Sequence, residues 1–253
     1  MKAWFIKSWP PIVTVSLFLA VWQLSTIVFA VEKWILPSPI QVIQEGWREL
    51  PKLGVHIGAT VKLTLLGFVI GSAIGLVLSI ILHLMPRVRA GLSPLLILSQ
   101  NIPVIILAPL LMIWFGYGIL PKLITISLIC FFPVAVAAMD GFARADRSMY
   151  NYMQMIGANK WKTFRMVELP SALPHMFSGL KISATYSVMS AVIAEWLGAE
   201  KGLGFYMMMA KSSYRADRVF CVMLLIVLFS LLFYKAIGWI ENWLVRWNVR
   251  AKV

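Results

Sequence analysis

Residues Asn151–Pro174 read NYMQMIGANKWKTFRMVELPSALP. This is the longest polar, basic interval between strongly apolar segments, with Lys160, Lys162 and Arg165 set against one acid, Glu168. Gly157-Ala158-Asn159 interrupts helix-forming sequence. Asn159 suits the N-cap of a second short helix, its side-chain oxygen taking an orphan backbone N–H. In that helix Ala158, Trp161 and Arg165 fall at i, i+3 and i+7, and Trp161 and Phe164 share a side. Pro170 and Pro174 are expected to end it and reset the chain direction. Two short helices bent at a glycine and offering aromatics suit docking into another protein. A solvated loop lying on a membrane surface is the other reading of the same residues.

The flanking segments fix the class. The chain has 253 residues, 60% hydrophobic and 13% charged, with mean hydropathy +0.84. A soluble domain carries about 25% charged residues, so this is an integral membrane protein. Apolar runs of about twenty residues favour helices over a barrel, whose strands are about ten residues long. In a soluble protein a net charge of +13 would suggest nucleic acid; here the cause is topological, because cytoplasmic loops collect Lys and Arg. Cys130 and Cys221 sit inside apolar runs and read as small buried hydrophobes, neither disulfide nor metal ligands.

Working outward, Lys2 and Lys7 precede an apolar run over 10–30. It is read as a retained first helix; a signal cleaved after Val28-Phe29-Ala30 is the other reading. After Leu36-Pro37-Ser38-Pro39 comes an amphipathic helix over 40–53, with Ile40, Val42, Ile43, Trp47 and Leu50 on helical spacing among Glu45, Arg48 and Glu49, expected to lie in the interface. The second span, 55–85, carries Gly67, Gly71, Gly75 and Ser79 at four-residue intervals, a small-residue stripe for close helix packing. The third, 91–114, holds Gln100, Asn101 and Pro103 near its middle. Polar groups at that depth are tolerated where they face protein or water. The fourth span covers 120–139, with Pro133 as an expected kink, the fifth 176–197 and the sixth 219–240. Fourteen of the 23 Lys and Arg residues fall on the side shared by both termini and the 151–174 loop, eight on the other, and Lys62 within a span. That asymmetry puts both termini and the loop in the cytoplasm.

The run Gly157-Ala158 … Val167-Glu168-Leu169-Pro170 … Leu173-Pro174 … Gly179-Leu180 resembles the cytoplasmic "EAA" loop of ABC-importer permease subunits. The Glu-Ala-Ala triad that names the loop would fall at Asn151-Tyr152-Met153 and is absent. Leu36-Pro37-Ser38-Pro39, Trp114-Phe115-Gly116-Tyr117-Gly118 and Ala194-Glu195-Trp196-Leu197-Gly198 extend the resemblance over the chain, toward the nitrate/sulfonate/taurine branch. Phe131-Phe132-Pro133, Met139-Asp140-Gly141 and Lys201-Gly202-Leu203-Gly204 look most like permeases for the pyrimidine precursor of thiamine.

The resemblance implies an all-α membrane protein with six transmembrane helices in the type I ABC-importer permease fold. Residues 1–54 would be a first helix plus interfacial helix, 55–245 a permease core with a coupling loop at 144–175, and 246–253 a basic cytoplasmic tail. It further implies ABC ATPase subunits, a second permease copy, an extracytoplasmic solute-binding protein and a bacterial inner membrane. The chain has no Gly-x4-Gly-Lys-Ser/Thr phosphate loop, so ATP falls to the partner and no cofactor or catalytic residue is expected here. Gly157, Ala158, Asn159, Lys160, Trp161, Phe164 and Arg165 are assigned to ATPase coupling, with Trp161 and Phe164 entering a groove on the ATPase.

On the fifth span Ser183, Ser187, Ser190 and Ala194 share a small polar face adjoining Tyr186 and Glu195. Gln100, Asn101, Tyr186, Ser187, Ser190 and Glu195 are candidates for a polar passage; close packing through the small residues is the other reading. The histidines lack metal-ligand spacing. The solute is expected to be a small polar molecule, a thiamine-precursor aminopyrimidine, with a sulfonate, taurine or nitrate as the alternative. A stand-alone secondary transporter would call for several coupled intramembrane acids or bases, where this chain offers Glu195 and Lys62.

Overall fold

The computed structural model describes the backbone of residues 2–245 and the side-chain surroundings of those residues except 2–8, 93, 95, 97, 99, 100, 104 and 105. The basic tail over 246–253 lies outside the described residues, as does the side chain of Gln100. In chain order the helices are α1 (Lys2–Val28), α2 (Pro39–Leu84), α3 (Pro86–Gln100), α4 (Val104–Phe115), α5 (Ile119–Ala143), α6 (Arg147–Met155), α7 (Lys160–Thr163), a π-turn (Phe164–Glu168), α8 (Leu169–Trp196), α9 (Leu203–Ser212) and α10 (Ala216–Leu244). Among the described residues five helices are long and apolar enough to cross a membrane: Trp9–Val28, α2, α5, Lys160–Trp196 and α10.

Three expectations change. The interfacial helix and the second span are one 46-residue rod, α2. Ser38 starts it with a reciprocal capping box: the Gln41 N–H donates to Ser38 Oγ at 3.4 Å, and the Ser38 N–H to Gln41 Oε1 at 3.1 Å. Pro51 forfeits one backbone bond without ending it. At 1.5 Å per residue α2 is about 69 Å long, more than twice a hydrocarbon core of about 30 Å. Its first half also shows the opposite face from a simple amphipathic helix: Glu45 and Glu49 are buried while Trp47 is 80% exposed.

The third span is likewise not one helix. It breaks at Asn101–Pro103, where Pro103 holds extended backbone (φ −65°, ψ 125°) as the cap of α4 and restricts Ile102 before it. Pro170 and Pro174, finally, do not end the elbow helix. A π-turn carries the chain through them, the Leu169 N–H donating to the Phe164 carbonyl five residues back. The extra residue shifts the bonding register just ahead of Pro170, which lacks a donor, so Lys160–Trp196 continues as one 37-residue helical run.

The bundle is built around α5, which packs most extensively on α8 and on α2. On the α2 side, Gly67 faces Ile126, Gly71 faces the Ser127 carbonyl and Cys130, and a Cβ on Gly75 would stand 2.7 Å from the Phe131 carbonyl oxygen. Ser79 completes the stripe, buried and donating to the Leu76 carbonyl at 2.7 Å. On the α8 side, a Cβ on Gly179 would stand 2.7 Å from both the Pro133 carbonyl oxygen and Ala137 Cβ. Lipid tails are as apolar as leucine, so contact of this kind comes from backbone proximity rather than from exclusion of water. The close approach also supports interhelical bonds: Ser127 Oγ donates to the Gly67 carbonyl at 3.3 Å, and Ser183 Oγ to the Cys130 carbonyl at 3.0 Å.

Gly71→Ala is expected to lower stability by about 1–3 kcal/mol, because the methyl meets α5 backbone that cannot give way. Gly54→Ala, on the same helix with open space around it, is expected to be neutral or stabilising by up to about 1 kcal/mol. Thermal melting of the two purified variants in one detergent checks the contrast.

Candidate functional site

Two polar constellations sit at opposite ends of the bundle, separated along α2 by the 23 residues from Thr60 to His83, roughly 35 Å of helix.

At the elbow end, Asp146 caps α6 by accepting from the Ser148 N–H at 2.8 Å. The Ser148 hydroxyl, then that N–H, hold the Asp146 carboxyl below its usual range. Gly157 sits at φ +72°, the left-handed turn that separates α6 from α7 and that a side chain would strain. Asn159 caps α7, its Oδ1 accepting from the Lys162 N–H at 2.8 Å. Trp161 is 59% exposed and stacked on Phe164 with ring centroids 5.5 Å apart.

Phe164 itself corrects the expectation. It is 2% exposed, packed with Ala138, Phe142, Ala172 and Met176, and so is no part of a docking surface. Phe164, the first residue of the π-turn, faces Phe142 of α5, and Trp161 stacks on its outer side. In its place the structure exposes Met149, Tyr152, Met155 and Ile156 on and beside α6, and Met166 beyond Trp161. Sequence reasoning missed these. The readable signal was Met149, Tyr152 and Met155 at three-residue spacing in a segment too short and polar to span a membrane. Gly157, Asn159, Lys160 and Arg165 are exposed alongside, and Ala158 is half-buried. The result is an exposed apolar patch with basic neighbours on α6 and at the start of the Lys160–Trp196 run.

At the other end, Glu195 is 2% exposed near the end of α8. Thr60 Oγ1 donates to its carboxylate at 2.8 and 3.0 Å from the two oxygens, and the Gly204 N–H donates to Oε2 at 2.8 Å. The Leu203 N–H donates to Thr60 Oγ1 at 2.7 Å, and the Gly202 N–H to His56 Nδ1 at 3.1 Å. The first N–H groups of α9, the positive end of a helix, are therefore spent on a carboxylate and its partners. Gly202, at φ +129°, must be glycine: a Cβ there would enter the Glu195 carboxyl.

Beside this clasp runs an ionic seam. Arg218 donates through Nε to Glu45 and through Nη2 to Glu49, each at 2.9 Å. Arg215 Nη2 donates to Glu45 at 2.6 Å and to Asp217 at 2.8 Å, and Tyr206 donates to Glu49 at 2.9 Å. Burial, then the Glu49 acceptor, push the Tyr206 phenol up to about 12, so it stays a donor. The two buried carboxylates explain why the first half of α2 turns its acids inward. Glu45 and Glu49 four apart, with Arg215 and Arg218 three apart, were the missed signal.

The expected passage is not assembled as proposed from sequence. Ser187 and Ser190 are buried, and Ser187 Oγ donates to the Ala184 carbonyl at 2.7 Å, so these small residues pack α8 against its neighbours. Tyr186 is exposed at the edge of that face of α8, and Asn101 is exposed at the α3–α4 break. Glu195 floors a cleft of about 580 Å³ lined by Tyr117, Lys122, Glu200 and Lys201. Lys122 Nζ there donates to the Gly198 carbonyl at 3.2 Å. Among the described residues no cluster of three or more His, Cys, Asp or Glu has the geometry to hold a metal ion.

Residues 64–249 match the family described as binding-protein-dependent transport system inner membrane component. The chain is 32% identical over 233 residues to the formylaminopyrimidine transport permease protein ThiX of Halalkalibacterium halodurans, covering 92% of this chain and 93% of that one. It is also 32% identical over 245 residues to the riboflavin transport system permease protein RibX of Chloroflexus aurantiacus, covering 95% and 91%. Sulfonate and taurine permeases match at 25% and 28% identity. Among solved structures, an inward-facing form of the MetNI methionine ABC transporter superposes with a TM-score of 0.67 at 20% identity, over 76% of this chain and 97% of that one.

Glu195→Ala strands the Thr60 hydroxyl and the Gly204 N–H in a buried site, and is expected to cost about 2–5 kcal/mol. Glu195→Gln, which keeps an acceptor for one of them, is expected to lose less than half as much. Thermal melting of the purified variants ranks the two.

Proposed function

The chain belongs to the family of binding-protein-dependent transport system inner membrane components, and from that premise we propose how this ABC-importer permease subunit is driven and what it carries. The α6–α7 elbow docks into an ATPase subunit. The exposed apolar patch of Met149, Tyr152, Met155, Ile156 and Trp161 on α6, the turn and α7 carries this reading. α6, which carries Met149, Tyr152 and Met155, is too short and polar to span a membrane, and burying aromatics in a partner groove is how helix docking gains affinity.

Lys160, Lys162 and Arg165 flank the patch and suit an acidic rim on the partner. ATP is held by that partner. Closure of two ATPase subunits on ATP drags the elbow and rocks the spans, giving alternating access. Two copies of the chain form the path, an extracytoplasmic binding protein delivers the solute, and both termini face the cytoplasm in accord with the Lys and Arg asymmetry. The solute is an aminopyrimidine of the thiamine-precursor class. The choice rests on the Phe131-Phe132-Pro133, Met139-Asp140-Gly141 and Lys201-Gly202-Leu203-Gly204 motifs; the 32% identity to ThiX is equalled by that to RibX, and the charged cleft suits a polar molecule.

Trp161→Glu is expected to weaken ATPase co-purification on the order of thirtyfold, as for loss of a hot-spot aromatic, and to reduce uptake to the background of empty vesicles while the permease still inserts. Undiminished uptake would overturn the docking assignment. With the wild-type complex, formylaminopyrimidine delivered by the cognate binding protein is expected to be imported and taurine and riboflavin not; import of either of those in its place would overturn the solute assignment.

A further inference from the structure

We propose that His83 and Glu168 form a latch that carries motion of the elbow into α2, making both of them positioning residues for transport. The proposal rests on the assignment of α6 and α7 as the ATPase-docking elements.

His83 lies in the last turn of α2 and Glu168 at the end of the π-turn, 85 positions apart in sequence. His83 Nε2 stands 2.8 Å from Glu168 Oε2, and both side chains are largely buried. A carboxylate can only accept, so the imidazole donates. Glu168 is the single acid in 151–174, and the bond holds it against α2. The His83 ring also stacks on Phe142 of α5 at 4.6 Å between centroids and lies 6.0 Å from Phe164. Phe142 and Phe164 are 5.4 Å apart, and Phe164 meets Trp161 at 5.5 Å. Four rings therefore run unbroken from the exposed docking residue Trp161 to the end of α2.

Ring contacts and the hydrogen bond differ in what they transmit. Stacked and tilted rings slide past one another at little cost, because dispersion is non-directional. A 2.8 Å hydrogen bond weakens steeply with angle and distance. The column alone would let α7 shift while α2 stayed still; the latch ties the two helix ends so that they move together. Stability does not require it. A buried hydrogen-bonded pair whose two partners are both replaced by apolar groups of like shape is often neutral, and Phe142 and Phe164 already supply an apolar bed. The pair therefore has a transmission role that packing leaves unfilled, and a coupling test can separate the two roles.

The experiment uses the full complex of permease, ATPase and binding protein in vesicles, reading solute imported per ATP hydrolysed. His83→Phe keeps a ring on Phe142 and removes the donor. It is expected to lower the melting temperature, because Glu168 is left without its partner, and to leave ATPase co-purification unchanged while solute per ATP falls about fivefold or more. His83→Gln, which restores a donor, is expected to recover most of the loss. Solute per ATP within about twofold of wild type in His83→Phe would overturn the latch. Should that variant fail to insert, Glu168→Leu is read by the same ratio, and normal coupling there would overturn it equally. If the wild-type permease neither retains the ATPase nor imports solute, the docking assignment falls first and the latch with it.

Discussion

The structure depends on backbone-to-backbone approach along α5. Hydrocarbon gives helices no hydrophobic reason to associate, so contact must come from close surfaces and interhelical hydrogen bonds. Gly67, Gly71 and Gly75 of α2 meet one side of α5, and Gly179 of α8 meets another. α5 thus packs against both α2 and α8, which also meet each other directly, and the charged clusters lie toward the two ends. Among the hydroxyls inside, Ser79, Ser183 and Ser187 turn to carbonyls, while those of Thr64 and Ser72 are without a partner.

That separation of roles explains the contrast between the ends. The clasp end is over-determined: Glu195 binds α2 and the start of α9 together, and the Glu45–Glu49–Arg215–Arg218 seam repeats the connection a few turns away. Buried charges of this kind are tolerated only when each finds a partner. The elbow end is built otherwise. Its inner face is an aromatic bed and its outer face leaves large apolar side chains exposed, an arrangement suited to a partner rather than to completing a core.

Much of this was legible in the sequence. The Gly67–Ser79 stripe reads directly because four-residue spacing has one meaning on a helix. Gly157 and Asn159 read directly because turn and cap chemistry is local. What could not be read depends on tertiary direction. Phe164 shares a side with Trp161, yet it lies beneath that ring against Phe142 of α5 and is buried. Glu45 and Glu49 look like the solvent face of an interfacial helix until Arg215 and Arg218, some 170 residues away, are seen opposite them. Ser187 and Ser190 illustrate a real ambiguity: small polar residues suit both a pore and a tight helix contact, and only burial decides.

The unbroken run from Lys160 to Trp196 joins the two ends in one body. At 1.5 Å per residue its 37 residues make a shaft about 55 Å long. Fulcrum contacts with α5 lie near its middle, at Gly179 and Ser183. A beam pivoted there swings its ends in opposite senses, and a tilt of about 10° displaces one tip relative to the other by roughly 10 Å. On the proposed docking of α6 and α7, widening at one end of the bundle and narrowing at the other would be the same movement seen from two sides.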